Sequence, residues 1–219
     1  MLTEPMRLAV FASGGGSNLQ AILDAVEEGT LHAEVALVVT DRDTAGALDR
    51  AARHGVPSAV LKPADFADAN AFGRALLDVL DKRGVNFIAL AGYLKMIPEA
   101  VVRAFKHRIV NIHPSLLPAF GGSGMYGRRV HEAALAHGVR WSGATVHLVD
   151  EDYDTGPIVL QQPVSVEPGD TPESLAARVL EVEHRLYPEA LRLFADGRVR
   201  IDGRTVTILP SPPDSPAAP

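Results

Sequence analysis

The stretch Met6-Arg-Leu-Ala-Val-Phe-Ala12-Ser-Gly-Gly-Gly-Ser-Asn-Leu-Gln20 decides the fold. Met6 to Ala12 reads as an apolar strand. Leu19, Ile22, Leu23 and Val26 then recur at i, i+3, i+4 and i+7, which predicts a helix. Glycines between strand and helix let backbone N–H groups approach a ligand, and a helix N-terminus favours an anion. The run is not a dinucleotide fingerprint, because Leu19 stands where the third glycine belongs. It also lacks the Gly-Lys-Ser/Thr ending of a nucleoside-triphosphate loop. Ser17 with Gln20 fits a capping box that needs no ligand. A phosphate cradle and a self-capped helix therefore stand side by side.

Outward from that unit the same alternation repeats. Glu34 to Thr40 reads as a strand, with Asp41-Arg42-Asp43 as the polar turn after it, and Ala45 to His54 reads as a helix ended by Gly55. Ser58 to Leu61 is a short strand. Phe72 to Arg83 is a helix whose apolar face is Phe72, Leu76, Leu77, Val79 and Leu80. Phe87 to Ala91 lacks alternation, as expected of a strand covered on both faces. After Gly92, Pro98 to Phe105 is a short helix with Pro98 at its first position, and Arg108 to His113 is a fifth strand. The pattern predicts an α/β fold with a doubly wound, mostly parallel, Rossmann-like sheet. Ligands of such sheets bind beyond the carboxyl ends of the strands, where the glycine loop, Gly92 to Ile97 and Asn111 to His113 converge.

The second half reads as mixed. Pro118 to Arg129 is a glycine-rich loop and Val130 to His137 a helix. Strands Trp141 to Val149 and Ile158 to Val166 flank the acidic turn Asp150 to Pro157. A long helix spans Pro172 to Phe194, with Thr171 as N-cap, the stripe Leu175, Val179, Val182 and Leu186, and a kink expected at Pro188. Arg198 to Ile201 and Thr205 to Leu209 read as a hairpin around Asp202-Gly203. Residues 1–209 are expected to form one domain, 6–113 its nucleotide and phosphate half and 114–209 its completing half. Residues 210–219 are expected to be a disordered tail.

Composition narrows the function. The 219 residues are 47% hydrophobic and 22% charged, ordinary for a soluble chain with a sizeable core. The net charge of −6 and the lack of a basic patch argue against nucleic acid as partner. No apolar run reaches membrane-spanning length and no signal peptide is visible, so a cytoplasmic protein is the expectation. Cysteine is absent, which removes thiolate metal sites, disulfides and a Cys nucleophile.

The chemistry concentrates at Asn111-Ile-His-Pro-Ser-Leu-Leu-Pro118. Asn111 and His113 are two apart in a strand and so share a face, which sets an amide donor beside a group that titrates near neutrality. The acidic turn is expected to be solvated except for Asp154, which precedes Thr155-Gly156-Pro157 and is expected to aim inward. A carboxylate beside His113 would favour the imidazolium and raise its pKa. No metal site is expected: His131 and His137 do not share a helix face, and His147 and His184 each read as structural. Ser123 is not in a nucleophile elbow, since Met125 replaces the last glycine.

These residues resemble the folate-dependent formyltransferases, and within them the glycinamide ribonucleotide transformylases. The resemblance rests on Ser13-Gly-Gly-Gly-Ser-Asn-Leu-Gln20, Leu90-Ala-Gly-Tyr-Leu-Lys-Met96, Asn111 to Pro118 and Asp154-Thr-Gly-Pro157, with Glu183-His184 following. It spans Arg7 to about Leu209 in order. It implies formyl transfer from 10-formyltetrahydrofolate, a co-substrate, to the primary amine of glycinamide ribonucleotide, without a metal. By the resemblance, Gly16, Ser17 and Asn18 hold the substrate phosphate and Glu183 faces the ribose. Leu94, Lys95, Met96 and Ile97 line the folate pocket together with Asn111. Asn111 contacts the formyl oxygen, His113 donates a proton and Asp154 raises the pKa of that histidine. The loop from Pro118 to Arg129 is expected to close near both ligands.

The chain departs from its relatives at Ala69, where many carry an arginine that touches the folate, with Arg74 as the nearby substitute. Thr155 stands where some relatives have glycine. A methionyl-tRNA formyltransferase would be expected to add a basic C-terminal domain, and a formyltetrahydrofolate hydrolase an N-terminal regulatory one. A catalytically silent nucleotide-binding module is the reading from another class. A homodimer is compatible with the sequence.

Overall fold

A computed structural model describes residues 4–211, so residues 212–219 of the expected tail lie outside the described residues. The chain runs β1 (Met6–Phe11), α1 (Ser17–Glu27), β2 (Ala33–Thr40), α2 (Gly46–Arg53), β3 (Ser58–Val60), α3 (Ala69–Asp81), β4 (Phe87–Leu90), α4 (Glu99–Ala104) and β5 (Ile109–His113). It continues with α5 (Arg128–Ala136), β6 (Trp141–Leu148), β7 (Ile158–Ser165), α6 (Pro172–Ala195), β8 (Val199–Asp202) and β9 (Thr205–Ile208). One seven-stranded sheet has the order β3-β2-β1-β4-β5-β6-β7. β1 to β5 are parallel, whereas β6 and β7 pair antiparallel. β8 and β9 form a separate hairpin. Among the described residues no helix is long and apolar enough to cross a membrane.

The doubly wound reading holds because the inner parallel strands, β1, β2, β4 and β5, bury both faces, while the edge strand β3 stays largely open. Leu8 and Val10 join one core with Leu19 and Ile22 of α1 and Leu175, Val179 and Tyr187 of α6. Ala9 and Phe11 face the other core, with Leu76 and Leu80 of α3 and Val101 of α4. The strand order reverses between β1 and β4, and the loops after those two strands border the crevice at that switch point. Tyr187 is fully buried, and its hydroxyl lies 2.9 Å from the Leu90 carbonyl and 3.1 Å from that of Val110. From α6 it thus ties the end of β4 to the neighbouring strand β5 beneath the crevice.

Local details correct four expectations. Ser17 is the first residue of α1 rather than its cap, and the Ser17–Gln20 capping box does not form. The cap position falls to Gly16, with φ +72°. A Cβ there would come within 3.0 Å of Ala47, so the close approach of α2 and the positive φ both favour glycine. Gln20 instead bonds Asp24 and Arg50. Pro98 is the N-cap of α4, outside its first helical position. α3 starts earlier than its apolar stripe, at Ala69, because the Asp68 carboxylate accepts from the Ala71 N–H. The terminal hairpin turns on Gly203 and Arg204, with Asp202 still paired to Thr205. α6 runs through Pro188 as one element, begun by a reciprocal cap between Thr171 and Ser174.

Candidate active site

A cleft of about 820 Å³ opens along the carboxyl ends of the strands. The residues to which the resemblance gives a role all line it: Gly16, Ser17 and Asn18, Leu94 to Ile97, Asn111 and His113, Asp154, and Glu183. Neither Ala69 nor Arg74 does. One end is made largely of backbone. Since no side chain caps α1, its first N–H groups are left for a ligand beside Gly14 and Gly15. Arg50 donates to the Gly15 carbonyl at 2.7 Å and steadies the loop from behind. Glu183 approaches from α6 and accepts a hydrogen bond from Asn18 Nδ2 at 2.7 Å. Burial pushes its carboxyl up to about 6, and the Asn18 bond offsets only part of that.

The other end is made of ionisable side chains. Asp154 does turn inward, whereas Glu151 and Asp152 are exposed. The turn holds it at φ +58°, and Gly156 is required two residues later, where a Cβ would meet the Leu148 carbonyl at 1.8 Å. Thr155 secures the same turn by donating to Asp150 at 2.7 Å. Asp154 Oδ2 lies 3.5 Å from His113 Nδ1 and accepts from the Gly122 N–H at 2.9 Å. Its Oδ1 lies 3.5 Å from both Asn111 Nδ2 and His147 Nε2. Burial alone would raise this carboxyl, but the neighbouring His147 ring, the charge of His113 and the Gly122 N–H outweigh it and hold the carboxyl below its ordinary range.

His113 corrects the expectation of a raised pKa. Burial is the largest influence and lowers it, and Asp154 and the Phe120 carbonyl offset that only in part, while His147 lowers it further. Its Nε2 lies 2.8 Å from the Phe120 carbonyl. Both ring nitrogens therefore face oxygen acceptors, which suits an imidazolium that burial makes harder to form.

The N-terminal formyl transferase family model matches residues 6–191. The chain belongs to the formyl transferase family. Among its curated relatives is the chloroplastic phosphoribosylglycinamide formyltransferase of Arabidopsis thaliana, 48% identical over 200 residues, which are 90% of this chain and 68% of that protein. The phosphoribosylglycinamide formyltransferase of Bacillus subtilis (strain 168) is 39% identical, over 85% of this chain and 93% of its own length. The crystal structure of glycinamide ribonucleotide transformylase 1 from Symbiobacterium toebii superposes with a TM-score of 0.90 at 47% identity, covering 95% of this chain and 96% of that one.

Sequence reasoning missed several residues of this formyltransferase site. His147 reads as structural by itself, yet the antiparallel register sets it opposite Asn111, and the two side chains meet at 3.1 Å. Nothing local in the sequence reports that pairing. His131 on α5 is buried in the same cleft with Nδ1 unpartnered. Burial, followed by the neighbouring His113, lowers its pKa. Tyr126 and Tyr153 are exposed side chains that both line this cleft. Their only signal is chemical type, since isolated exposed apolar residues are common.

Proposed function

We propose that this chain transfers the formyl group of 10-formyltetrahydrofolate to the primary amine of glycinamide ribonucleotide, giving formylglycinamide ribonucleotide and tetrahydrofolate in purine biosynthesis. The observation that carries the reading is Asp154, whose carboxylate lies between His113 and Asn111 at one end of the cleft that holds the uncapped α1 terminus at the other. The phosphate of the nucleotide would accept from the N–H groups of Gly16, Ser17 and Asn18, with Glu183 on the ribose hydroxyls. Leu94, Met96 and Ile97 offer an apolar wall, and Lys95 a cation, to the folate.

Chemically, the amine nitrogen bonds to the formyl carbon, and the carbonyl oxygen becomes an oxyanion. A placed donor such as Asn111 is worth about 3 kcal/mol there. The carbon–N10 bond then breaks as N10 takes a proton. A histidine passing a proton from the amine to N10 contributes about 10²–10⁴-fold, and holding both substrates in reacting geometry contributes much of the rest. For His113 to exchange a proton through Nε2, the Phe120 carbonyl on the glycine-rich loop must give way to substrate or water. Residues 6–113 thus form the nucleotide and phosphate half and carry His113, and 114–209 complete the folate site and bring Asp154 to that histidine. A lack of cysteine is compatible with work in a reducing compartment such as the cytoplasm.

The test is an assay of the purified protein with each substrate alone and with both. Formylated product and tetrahydrofolate should appear together, and only when both substrates are present. Tetrahydrofolate released without the amine would make the protein a hydrolase, and no turnover with either would make it a binding module.

A further inference from the structure

The proposed reaction leaves His147 unused, although its ring reaches both Asn111 and Asp154. Its Nδ1 lies 2.8 Å from the Leu148 carbonyl oxygen, which can only accept, so Nδ1 carries a hydrogen. In the neutral ring Nε2 is then a lone pair, and one Asn111 Nδ2 hydrogen donates to it across 3.1 Å. The second Nδ2 hydrogen turns toward Asp154 Oδ1 at 3.5 Å. The nitrogen end of Asn111 is therefore engaged by protein, and the end left free is Oδ1. That is the wrong end for catalysis, because an amide oxygen repels the oxyanion that the reaction creates.

We propose that His147 is the positioning residue that turns the Asn111 amide: carrying a second ring proton, it donates from Nε2 to Asn111 Oδ1 and so presents Nδ2 to the formyl oxygen. This rests on the formyl-transfer reading above. The groups that face His147 support it. Asp154, from the turn between β6 and β7, sets Oδ1 3.5 Å from His147 Nε2 while its Oδ2 lies 3.5 Å from His113 Nδ1. From β7 the register partner is Ile158, which carries no charge. α6 packs on the opposite face of the sheet, against Val146 and Leu148. One carboxylate thus serves two imidazoles, and the side chains of His147, His113 and Asp154 are only 2%, 5% and 10% exposed.

A single buried carboxylate balances one imidazolium, and a second would stand uncompensated. Before reaction the two rings therefore share one proton as a coupled pair. With that proton on His147, Asn111 is turned for the oxyanion and His113 is neutral. His113 can then take the proton that the amine must lose when its nitrogen bonds to the formyl carbon. At that moment the oxyanion and Asp154 together balance both imidazoliums. As the carbon–N10 bond breaks, His113 delivers its proton to N10, and the His147 proton stays in place throughout.

The experiment compares kcat, both KM values and the pH profile for wild type, His147→Phe and His147→Gln. His147→Phe should lower kcat by about 10²–10³-fold, the loss of one oxyanion donor, with both KM values nearly unchanged. A glutamine amide can donate to Asn111 Oδ1 at any pH, so His147→Gln should recover much of kcat and lose the basic limb of the wild-type profile. Unchanged kcat in His147→Phe, or a wild-type pH profile in His147→Gln, overturns the proposal. If the phenylalanine variant fails to fold, ¹⁵N-histidine spectra of the wild type decide it. A His147 ring that stays neutral across the pH range of turnover overturns it, and one that takes up a proton there supports it. Absence of formyl transfer by the wild type would overturn the functional reading itself, whereas altered positioning alone leaves that reading intact.

Discussion

The two parts of the sheet serve the cleft by different means. The parallel part, β1 to β5, offers mainly backbone: an uncapped helix start, a left-handed glycine at Gly16 and the segment from Gly92 to Ile97. The antiparallel part, β6 and β7, offers buried ionisable side chains, His147 in a strand and Asp154 in the turn that follows. The ionisable and amide side chains gather at the seam where β5 meets β6, since that register sets Asn111 against His147 and His113 against Thr145. On the proposed function, ligand holding and proton handling should be separable, each open to damage without the other.

The largest effect should come from the seam. Asp154→Asn removes the one carboxylate between two rings and should lower kcat by about 10²–10⁴-fold, the scale of general acid–base help, while both KM values stay near wild type. The sign of the pH effect follows from His113. Asp154 raises the His113 pKa against the stronger lowering by burial, so its loss should move the His113 limb of the profile to lower pH. Steady-state kinetics across pH would check this. An unchanged profile would mean that the seam is not the acid–base centre. Gly16→Ala strikes the other part. A Cβ at φ +72° costs about 1–2 kcal/mol, and it also meets Ala47 at 3.0 Å. The KM for the nucleotide should rise and the melting temperature fall, with the folate KM and saturated kcat nearly preserved. A raised folate KM instead would break the division of labour.

That division also explains what the sequence made legible. The parallel part could be read because its signals are local: an apolar run, a glycine turn and helical spacing lie next to each other in the chain. The inward aim of Asp154 was legible from Gly156-Pro157, and so was the shared face of Asn111 and His113. His147 was not, because its meaning depends on an antiparallel pairing between residues 36 positions apart. The net lowering of the His113 pKa was hidden for a related reason. Its neighbour Asp154 could be guessed, but the burial that outweighs Asp154 belongs to the folded chain. The Ser17–Gln20 pattern misled because the cap was decided by α2 packing on Gly16, a contact outside the motif.

Glu183 tests the nucleotide end more gently. Its carboxyl is pushed from 4.5 to about 6 by burial. The unfolded chain therefore releases this proton before the folded one does as pH rises. The stability it confers is complete below the unfolded value and is lost as pH rises through the folded one, a fall of about 2 kcal/mol. Denaturant titrations between about pH 4 and 7 should show that fall in the wild type and its absence in Glu183→Gln. An equal slope in both would mean that Glu183 is hydrated and does not close the cleft.

The smallest effect asks whether α6 serves the site through its middle or its start. Thr171 and Ser174 cap each other at the first turn, and removing the Thr171 hydroxyl frees one N–H there. Thr171→Ala should cost about 1 kcal/mol of stability, read as a lower denaturant midpoint. Pro172 and Glu173 border the cleft at that end, so fraying there could disturb it. Glu183 and Tyr187, however, lie further along, Glu183 roughly 18 Å from the cap at 1.5 Å per residue. Both are anchored independently of the cap, Glu183 by Asn18 and Tyr187 by the carbonyls of Leu90 and Val110. The nucleotide KM and kcat should therefore stay at wild-type values while stability drops. If the nucleotide KM rises with the loss of the cap, the first turn of α6 itself holds substrate, and the backbone-built end of the cleft extends further than β1 and α1.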